Sequence, residues 1–261
     1  MSDTKKNING LRVVVAGGAS AIGSVLCKRL ASNGAKVIVG DINETAAKAT
    51  AAEISSAGGN AIGVAFDFSN EDSVRDLIGS SVEAFGGLDG LVNMGADLRA
   101  ETIGRDFGIL DMDPAVWRRT MDVNLIGYAL TTKHALPKMF EQGGGSIINI
   151  SSVTAWMADP GVPAYAAAKA AVHAMTRHTA HTGGPKKVRA NAVSFGIINT
   201  EPVKAALNNE DYYNKFIPTS ALKRVGELEE ACSLVEYLLS REATFITGQV
   251  WGVNGGVMMR E

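Results

Sequence analysis

The stretch Arg12-Val13-Val14-Val15-Ala16-Gly17-Gly18-Ala19-Ser20-Ala21-Ile22-Gly23 decides how this chain is read. Its β-branched run predicts a buried strand, and the apolar spacing from Ile22 to Asn33 predicts a helix, so the glycines fall in a strand-to-helix turn. Such a turn lets the backbone approach a pyrophosphate, while the helix N-terminus supplies amide donors and positive potential. A tight turn that binds nothing has the same sequence, so the rest of the chain must decide between the two.

The unit repeats along the chain. Strand Lys36 to Gly40 leads to helix Asn43 to Ser56, strand Ala61 to Phe66 to helix Glu71 to Phe85, and then comes strand Leu88 to Asn93. A long helix is expected from Pro114 to Phe140, with Asp113 as its N-cap and Pro114 at its first position. Gly143, Gly144 and Gly145 lead into strand Ser146 to Ile150, followed by helix Pro163 to His181 and strand Val188 to Val193. Regularity lapses from Asn199 to Leu222, where Pro202, Pro218, Tyr212, Tyr213 and Phe216 read as short helical pieces in a mobile cover. Helix Glu227 to Ser240 and strand Gly248 to Val253 follow. Seven mostly apolar strands alternating with helices predict an α/β fold, a doubly wound parallel sheet with helices on both faces. The 261 residues suit one domain over 1–261, with its ligand crevice at the carboxyl ends of the strands.

Composition narrows the partners. With 25 basic against 27 acidic residues the net charge is -2, so there is no basic field to attract nucleic acid or an acidic membrane. No apolar run reaches the length of a membrane span, and Met1 to Asn9 has no secretory pattern, so the expectation is a cytoplasmic protein that meets small molecules and copies of itself. Cys27 and Cys232 lack the spacing of a zinc or C-x-x-C site and read as buried fillers. His173, His178 and His181 share a helix, but no carboxylate or Cys completes a set, and no metal is expected.

Polar residues stand at the strand ends facing the expected crevice. Asp41 is placed to accept hydrogen bonds from ribose hydroxyls and to repel a 2'-phosphate, which favours NAD over NADP, and no Lys or Arg stands beside it. It also reads as a turn residue or N-cap. Asp67 is placed to meet an adenine edge and Asn93 to brace adjacent loops, though both are also ordinary turn residues. Ser152 follows the fifth strand, and Tyr165 and Lys169, four residues apart, share one face of the next helix. A phenol is a poor base at neutral pH, and lowering its pKa by about three units takes about 4 kcal/mol, which a fixed cation at Lys169 and a positive nicotinamide ring would supply together. Tyr165 would then exchange a proton with an alcohol while hydride moves to or from the nicotinamide, Ser152 holding the reacting oxygen. An amphipathic surface pair gives the same Tyr-x-x-x-Lys spacing.

With these residues assembled, the sequence closely resembles the short-chain dehydrogenase/reductase family of compact single-domain type, from Arg12 to Gly256. The family's glycine motif T-G-x-x-x-G-x-G corresponds to Ala16 through Gly23, and its N-N-A-G segment to Asn93, Met94, Gly95 and Ala96. Its P-G-x-x-x-T segment falls on Phe195 through Thr200. The thirteen positions from Ser152 to Tyr165 match the family interval.

The resemblance implies a Rossmann-type dinucleotide site made by Gly17, Ser20, Ala21, Ile22, Asp41, Ile42, Asp67, Phe68, Asn93, Gly95, Tyr165, Lys169, Gly196, Ile198 and Thr200. It implies a catalytic set of Asn124, Ser152, Tyr165 and Lys169, with Lys169 also holding the nicotinamide ribose and Asn124 holding a water that links Lys169 to solvent. A polar residue bending a long helix is the other reading of Asn124. A homotetramer built on the 114–140 and Tyr165 helices is implied as well. Departures are Ala16, Ala21, Met94-Gly95-Ala96, Phe195 and Asn254, none in the proton-transfer set.

Between Asn93 and Asn124 the chain is longer than is usual in the family, and the extra piece around Leu98 to Leu110 is expected beside the pocket. With Trp156, Met157, Val162, Phe195 and the aromatics of the cover, it suggests an apolar cavity for a bulky secondary alcohol or ketone. The rival readings are an NADP-dependent 3-oxoacyl-type carbonyl reductase and a non-catalytic dinucleotide-binding regulator.

Overall fold

The computed structural model describes residues 7–157, 161–210, 214 and 217–259. Tyr212, Tyr213 and Phe216, three aromatics expected in the cover, lie outside the described residues. Strands β1 (Arg12–Ala16), β2 (Lys36–Asp41), β3 (Asn60–Ala65), β4 (Gly90–Asn93), β5 (Gly145–Ser152), β6 (Val188–Phe195) and β7 (Val250–Val253) form one parallel sheet in the order β3-β2-β1-β4-β5-β6-β7. The order reverses between β1 and β4, and a crevice opens at such a reversal because the chain leaves the two strands toward opposite faces.

Helices α1 (Ala21–Ser32), α2 (Glu44–Ser56), α3 (Glu71–Phe85), α5 (Gly127–Glu141), α6 (Pro163–Gly183) and α8 (Leu228–Leu239) cover the sheet, while α4 (Pro114–Met121) packs on α6 and α7 (Glu201–Leu207) buries none of its residues. The pleat of β1 splits the core in two. Val13 and Val15 pack with Leu26, Leu30, Val235 and Leu238 of α1 and α8, whereas Val14 and Ala16 pack with Leu77, Tyr128 and Val172 of α3, α5 and α6. Cys27 and Cys232 are buried in the first of these layers as expected, and burial pushes both thiols well above their usual pKa, Cys232 up to about 12.

Caps match the sequence. Ser20, Asn43, Asn70 and Asp113 each accept a hydrogen bond from a first-turn amide of the helix they precede. The helix expected from Pro114 to Phe140 is not uniformly α: Asp122–Ile126 forms a single π-turn between α4 and α5, and the helix continues past Pro137 to Glu141. An inserted residue of this kind is common where a helix serves a site, and it falls on Asn124. Among the described residues no helix is long and apolar enough to cross a membrane.

Candidate functional site

The glycine turn is closed tightly on itself and on the strand across the reversal. Gly17 has φ 92°, and a Cβ there would lie 2.5 Å from the Gly95 nitrogen, so no other residue fits. A Cβ on Gly23 would lie 2.3 Å from the Gly17 carbonyl oxygen. Gly17 and Gly18 donate their amides to the Gly40 carbonyl, and Ser20 caps α1 by accepting from Gly23 N at 3.1 Å. Ser20 and Ala21 are exposed and Ile22 half-buried, and α1 has no acidic residue in its first turn, so its N-terminal positive potential faces the crevice.

Asp41 stands at the same mouth. Its carboxylate accepts from Ala19 N and Asn43 N, both at 3.0 Å, which fixes it between the glycine turn and the start of α2. Ile42 beside it is exposed. Asp67 accepts from the amide and hydroxyl of Ser69. A closed glycine turn, an open helix N-terminus and an anchored acid at the sheet's reversal fit a dinucleotide.

Two expected cofactor side chains are committed elsewhere. Asn93 is fully buried, donating to Asn149 at 2.9 Å and accepting from Thr131 at 2.7 Å, so its side chain braces β4 against β5 and α5. The ring of Phe68 is buried against Phe66 and Tyr128. That ring also explains the altered segment after β4, because a Cβ on Gly95 would lie 2.3 Å from it, so glycine stands where the family pattern has alanine.

At the other end of the crevice Ser152 is the last residue of β5, and its hydroxyl accepts from Thr154 N. Tyr165 and Lys169 rise from the first two turns of α6, with the Lys169 nitrogen 5.6 Å from the Tyr165 ring centre. Burial pushes the Tyr165 phenol up to about 12, partly offset by its hydrogen bond with Ser152, and pushes the Lys169 ammonium down to about 7. The expected lowering of the phenol pKa joins Lys169 with a positive nicotinamide ring, and the protein alone supplies only the first of these. Lys169 directs its donors to Tyr128 Oη at 3.1 Å and Ile150 O at 3.0 Å.

Asn124 is fully buried in the π-turn that packs on α6. Its amide donates to the Thr120 carbonyl at 3.0 Å, and its Oδ1 has no protein partner.

Beyond β6, the Gly196 amide donates to Val253 O, Ile198 forms a parallel bridge with Gly226, and Thr200 N donates to Ile198 O. Phe195 is buried in the core with Ile198, so it does not line a substrate cavity as expected. A cavity of about 240 Å³ lies among Ile197, Ile198, Ile217, Ser220, Leu222 and Gly255, and neither Ser152 nor Tyr165 lines it. Four large apolar residues of the 98–110 segment, Leu98, Phe107, Ile109 and Leu110, are exposed, and Ile103 is half-buried.

Sequence reasoning missed several residues that support the site's elements. Tyr128 bonds Lys169, and its position four residues after Asn124 on one helix was the available signal. Ser151 bonds His173 at 2.7 Å beneath α6, and the His173 ring stacks on Trp156. Asp97 is buried and binds both Arg99 and Arg119, and Arg119 reaches on to Ser69. Asp106 reaches the start of α6.

The sheet order, the glycine turn at its reversal and the Ser-Tyr-Lys group define a dinucleotide-dependent oxidoreductase class. Residues 3–258 match the family described as enoyl-(acyl carrier protein) reductase. The chain is 36% identical to a cis-4-hydroxycyclohexanecarboxylate dehydrogenase of Sinomonas cyclohexanicum over 93% of this chain and 94% of the other. It is 38% identical to a 3-oxoacyl-[acyl-carrier-protein] reductase of Synechocystis, over 94% and 96% respectively. A solved 7α-hydroxysteroid dehydrogenase, in complex with NADH and 7-oxo glycochenodeoxycholic acid, superposes with TM-score 0.90 at 28% identity, covering 98% of this chain and 97% of that one. The chain belongs to the short-chain dehydrogenase/reductase family, and it is an oxidoreductase that interconverts a secondary alcohol and a ketone with a nicotinamide dinucleotide.

Proposed function

We propose that the protein uses NAD and acts on a secondary alcohol or ketone carried by a bulky, largely apolar skeleton. The observation that carries this reading is the meeting of Ser152, Tyr165 and Lys169 at the end of the crevice opposite Asp41. When bound, the nicotinamide supplies or accepts the hydride and, in its oxidised form, a positive charge.

The protein's own residues do the rest. Ser152 holds the reacting oxygen and Tyr165 moves the proton. A phenol at about 12 keeps its proton at neutral pH, so in reduction Tyr165 donates to the developing alkoxide without prior ionisation. In oxidation it becomes a base only when cationic charge gathers beside it. Lys169 has three donors as an ammonium and commits two to Tyr128 and Ile150, leaving one for a ribose hydroxyl. The unpartnered Asn124 Oδ1 supports a water-linked proton path toward Lys169.

Asp41 supports NAD, since a carboxylate repels a 2'-phosphate. The names of the relatives, a hydroxycyclohexanecarboxylate dehydrogenase and a 7α-hydroxysteroid dehydrogenase, support a cyclic skeleton. We also infer a cytoplasmic homotetramer, as the family resemblance implies; the exposed Ile126, at the start of α5, lies on the helix expected at the subunit contact. Light scattering should give four times the 27.3 kDa chain mass.

The test is oxidation of cyclic and steroidal secondary alcohols and short hydroxy acids with NAD and with NADP, and reduction of the matching ketones and of 3-oxoacyl ketones with NADH and with NADPH. NAD-linked turnover of ring alcohols supports the proposal. Activity confined to short charged hydroxy acids, or to NADP with acyl-carrier-type ketones, contradicts it.

A further inference from the structure

Helix α6 carries the candidate proton-transfer residue in its first turn, yet its own sequence cannot cap it. Val162, at the N-cap position, has no acceptor and is held in the left-handed region at φ 56°, ψ 41°, which a β-branched residue rarely occupies. Pro163 has no amide to satisfy, so the first free donors are the Ala164 and Tyr165 amides. Both are taken by one carboxylate from far away in sequence: Ala164 N donates to Asp106 Oδ1 at 3.1 Å, and Tyr165 N to Asp106 Oδ2 at 2.9 Å. Val162 N donates to the Asp106 carbonyl at 2.8 Å, so Asp106 grips both sides of the helix start.

Asp106 lies in the extra segment between β4 and α4 and is only 4% exposed. A carboxylate so buried needs charge-assisted partners, and the two amides at a helix N-terminus are such partners, with the helix dipole behind them. The segment is pinned on either side by ion pairs, Arg119 to Asp97 at 2.9 Å and Arg105 to Asp113 at 2.6 Å. Capping is thus supplied by the extra segment rather than by the helix, and one of the two capped amides belongs to Tyr165 itself.

We infer that Asp106 is a positioning residue for Tyr165: its carboxylate, acting as a cap supplied from outside the helix, sets where the first turn of α6 holds the phenol relative to Ser152. This rests on the reading of Tyr165 as the proton-transfer residue. It extends that reading by giving the extra segment a task in the chemistry beside any contact with substrate.

The test compares wild type with Asp106→Asn and Asp106→Ala. Amide exchange is read in 163–169 against α1, NADH affinity by fluorescence, and kcat with cis-4-hydroxycyclohexanecarboxylate and NAD, with Tyr165→Phe as the control for the underlying reading. Asparagine keeps one acceptor and turns an amide donor toward the other N–H, so it should fall between the other two. For Asp106→Ala the expected result is exchange in 163–169 at least about tenfold faster with α1 unchanged, and kcat down by about tenfold or more, since small misplacements of a reacting group cost that much. NADH affinity should stay within about twofold, because its pyrophosphate and adenosine contacts lie at the other end of the crevice.

Unchanged exchange in 163–169 overturns the inference whatever the turnover, and that arm needs no substrate. Raised exchange with unchanged kcat also overturns it, as does equal loss of kcat, NADH affinity and α1 protection, or failure of both variants to fold, since each makes Asp106 a residue of general stability. Wild-type turnover that survives Tyr165→Phe counts instead against the role of Tyr165.

Discussion

The side-chain nitrogen of Lys169 lies 3.1 Å from the Tyr128 hydroxyl, and that hydroxyl donates in turn to the Gly95 carbonyl at 3.0 Å. This buried chain ties the helix of the Ser-Tyr-Lys group to the altered segment after β4. Tyr128→Phe should cost about 1–3 kcal/mol of stability, because it strands the Gly95 carbonyl and removes one partner of Lys169. Denaturant unfolding reads that loss. Stability within about 0.5 kcal/mol of wild type would show that the chain carries no weight.

Lys169 gives the protein a pH signature. Its ammonium is pushed from an ordinary 10.5 down to about 7, so the unfolded chain binds more protons than the folded one between those values. Stability from this group is therefore gained as pH rises from about 7 toward 10.5 and lost over the same window as pH falls, with a slope of up to about 1.4 kcal/mol per pH unit. The stability difference between wild type and Lys169→Met should shift in favour of wild type from pH 7 to 9, a range below the ordinary pKa of the tyrosines. A difference that is flat over that range refutes the assignment.

Asp97 should behave in the opposite part of the scale. Hydrogen bonds from Arg99 and then Arg119 hold its carboxyl well below the usual carboxylate range although it is buried. Its contribution is present above the ordinary carboxylate pKa and is lost as pH falls below it. Asp97→Asn should cost about 2 kcal/mol at pH 7, and the gap to wild type should narrow as pH falls below about 4. Equal stability at pH 7 by thermal or urea unfolding would contradict this.

Asp41 is the expected source of cofactor choice. Asp41→Ala should weaken NAD binding and reduce the preference for NAD over NADP by about tenfold, near 1.4 kcal/mol. Titrating each dinucleotide against tryptophan fluorescence measures both. An unaltered preference would move the choice to some other residue.

Much of this was legible in the chain because it is local. The β-branched runs, the glycine turn, Asp41 at the end of β2 and the Tyr165–Lys169 spacing each follow from a few neighbouring residues. What sequence could not give depends on distant segments meeting. Asp106 acts on a helix start 58 and 59 positions away, and nothing beside it marks it as a cap. Asn93 braces its neighbours as its place at a strand end suggests, but its partners, Asn149 and Thr131, come from other elements that only the fold brings to it. Phe195 looked like pocket lining because it is aromatic near the cover, and the sheet's pleat turns it into the core. The π-turn at Asn124 left no mark in the apolar periodicity, because it adds only one residue to a turn.

The central claim is that the Tyr165 hydroxyl moves the proton. It is tested most directly by Tyr165→Phe, with NADH binding and single-turnover hydride transfer from a ring alcohol measured on the same preparation. Nearly unchanged NADH affinity with transfer slowed by about 100-fold or more is the predicted result. Transfer at the wild-type rate, with the cofactor bound, would contradict it.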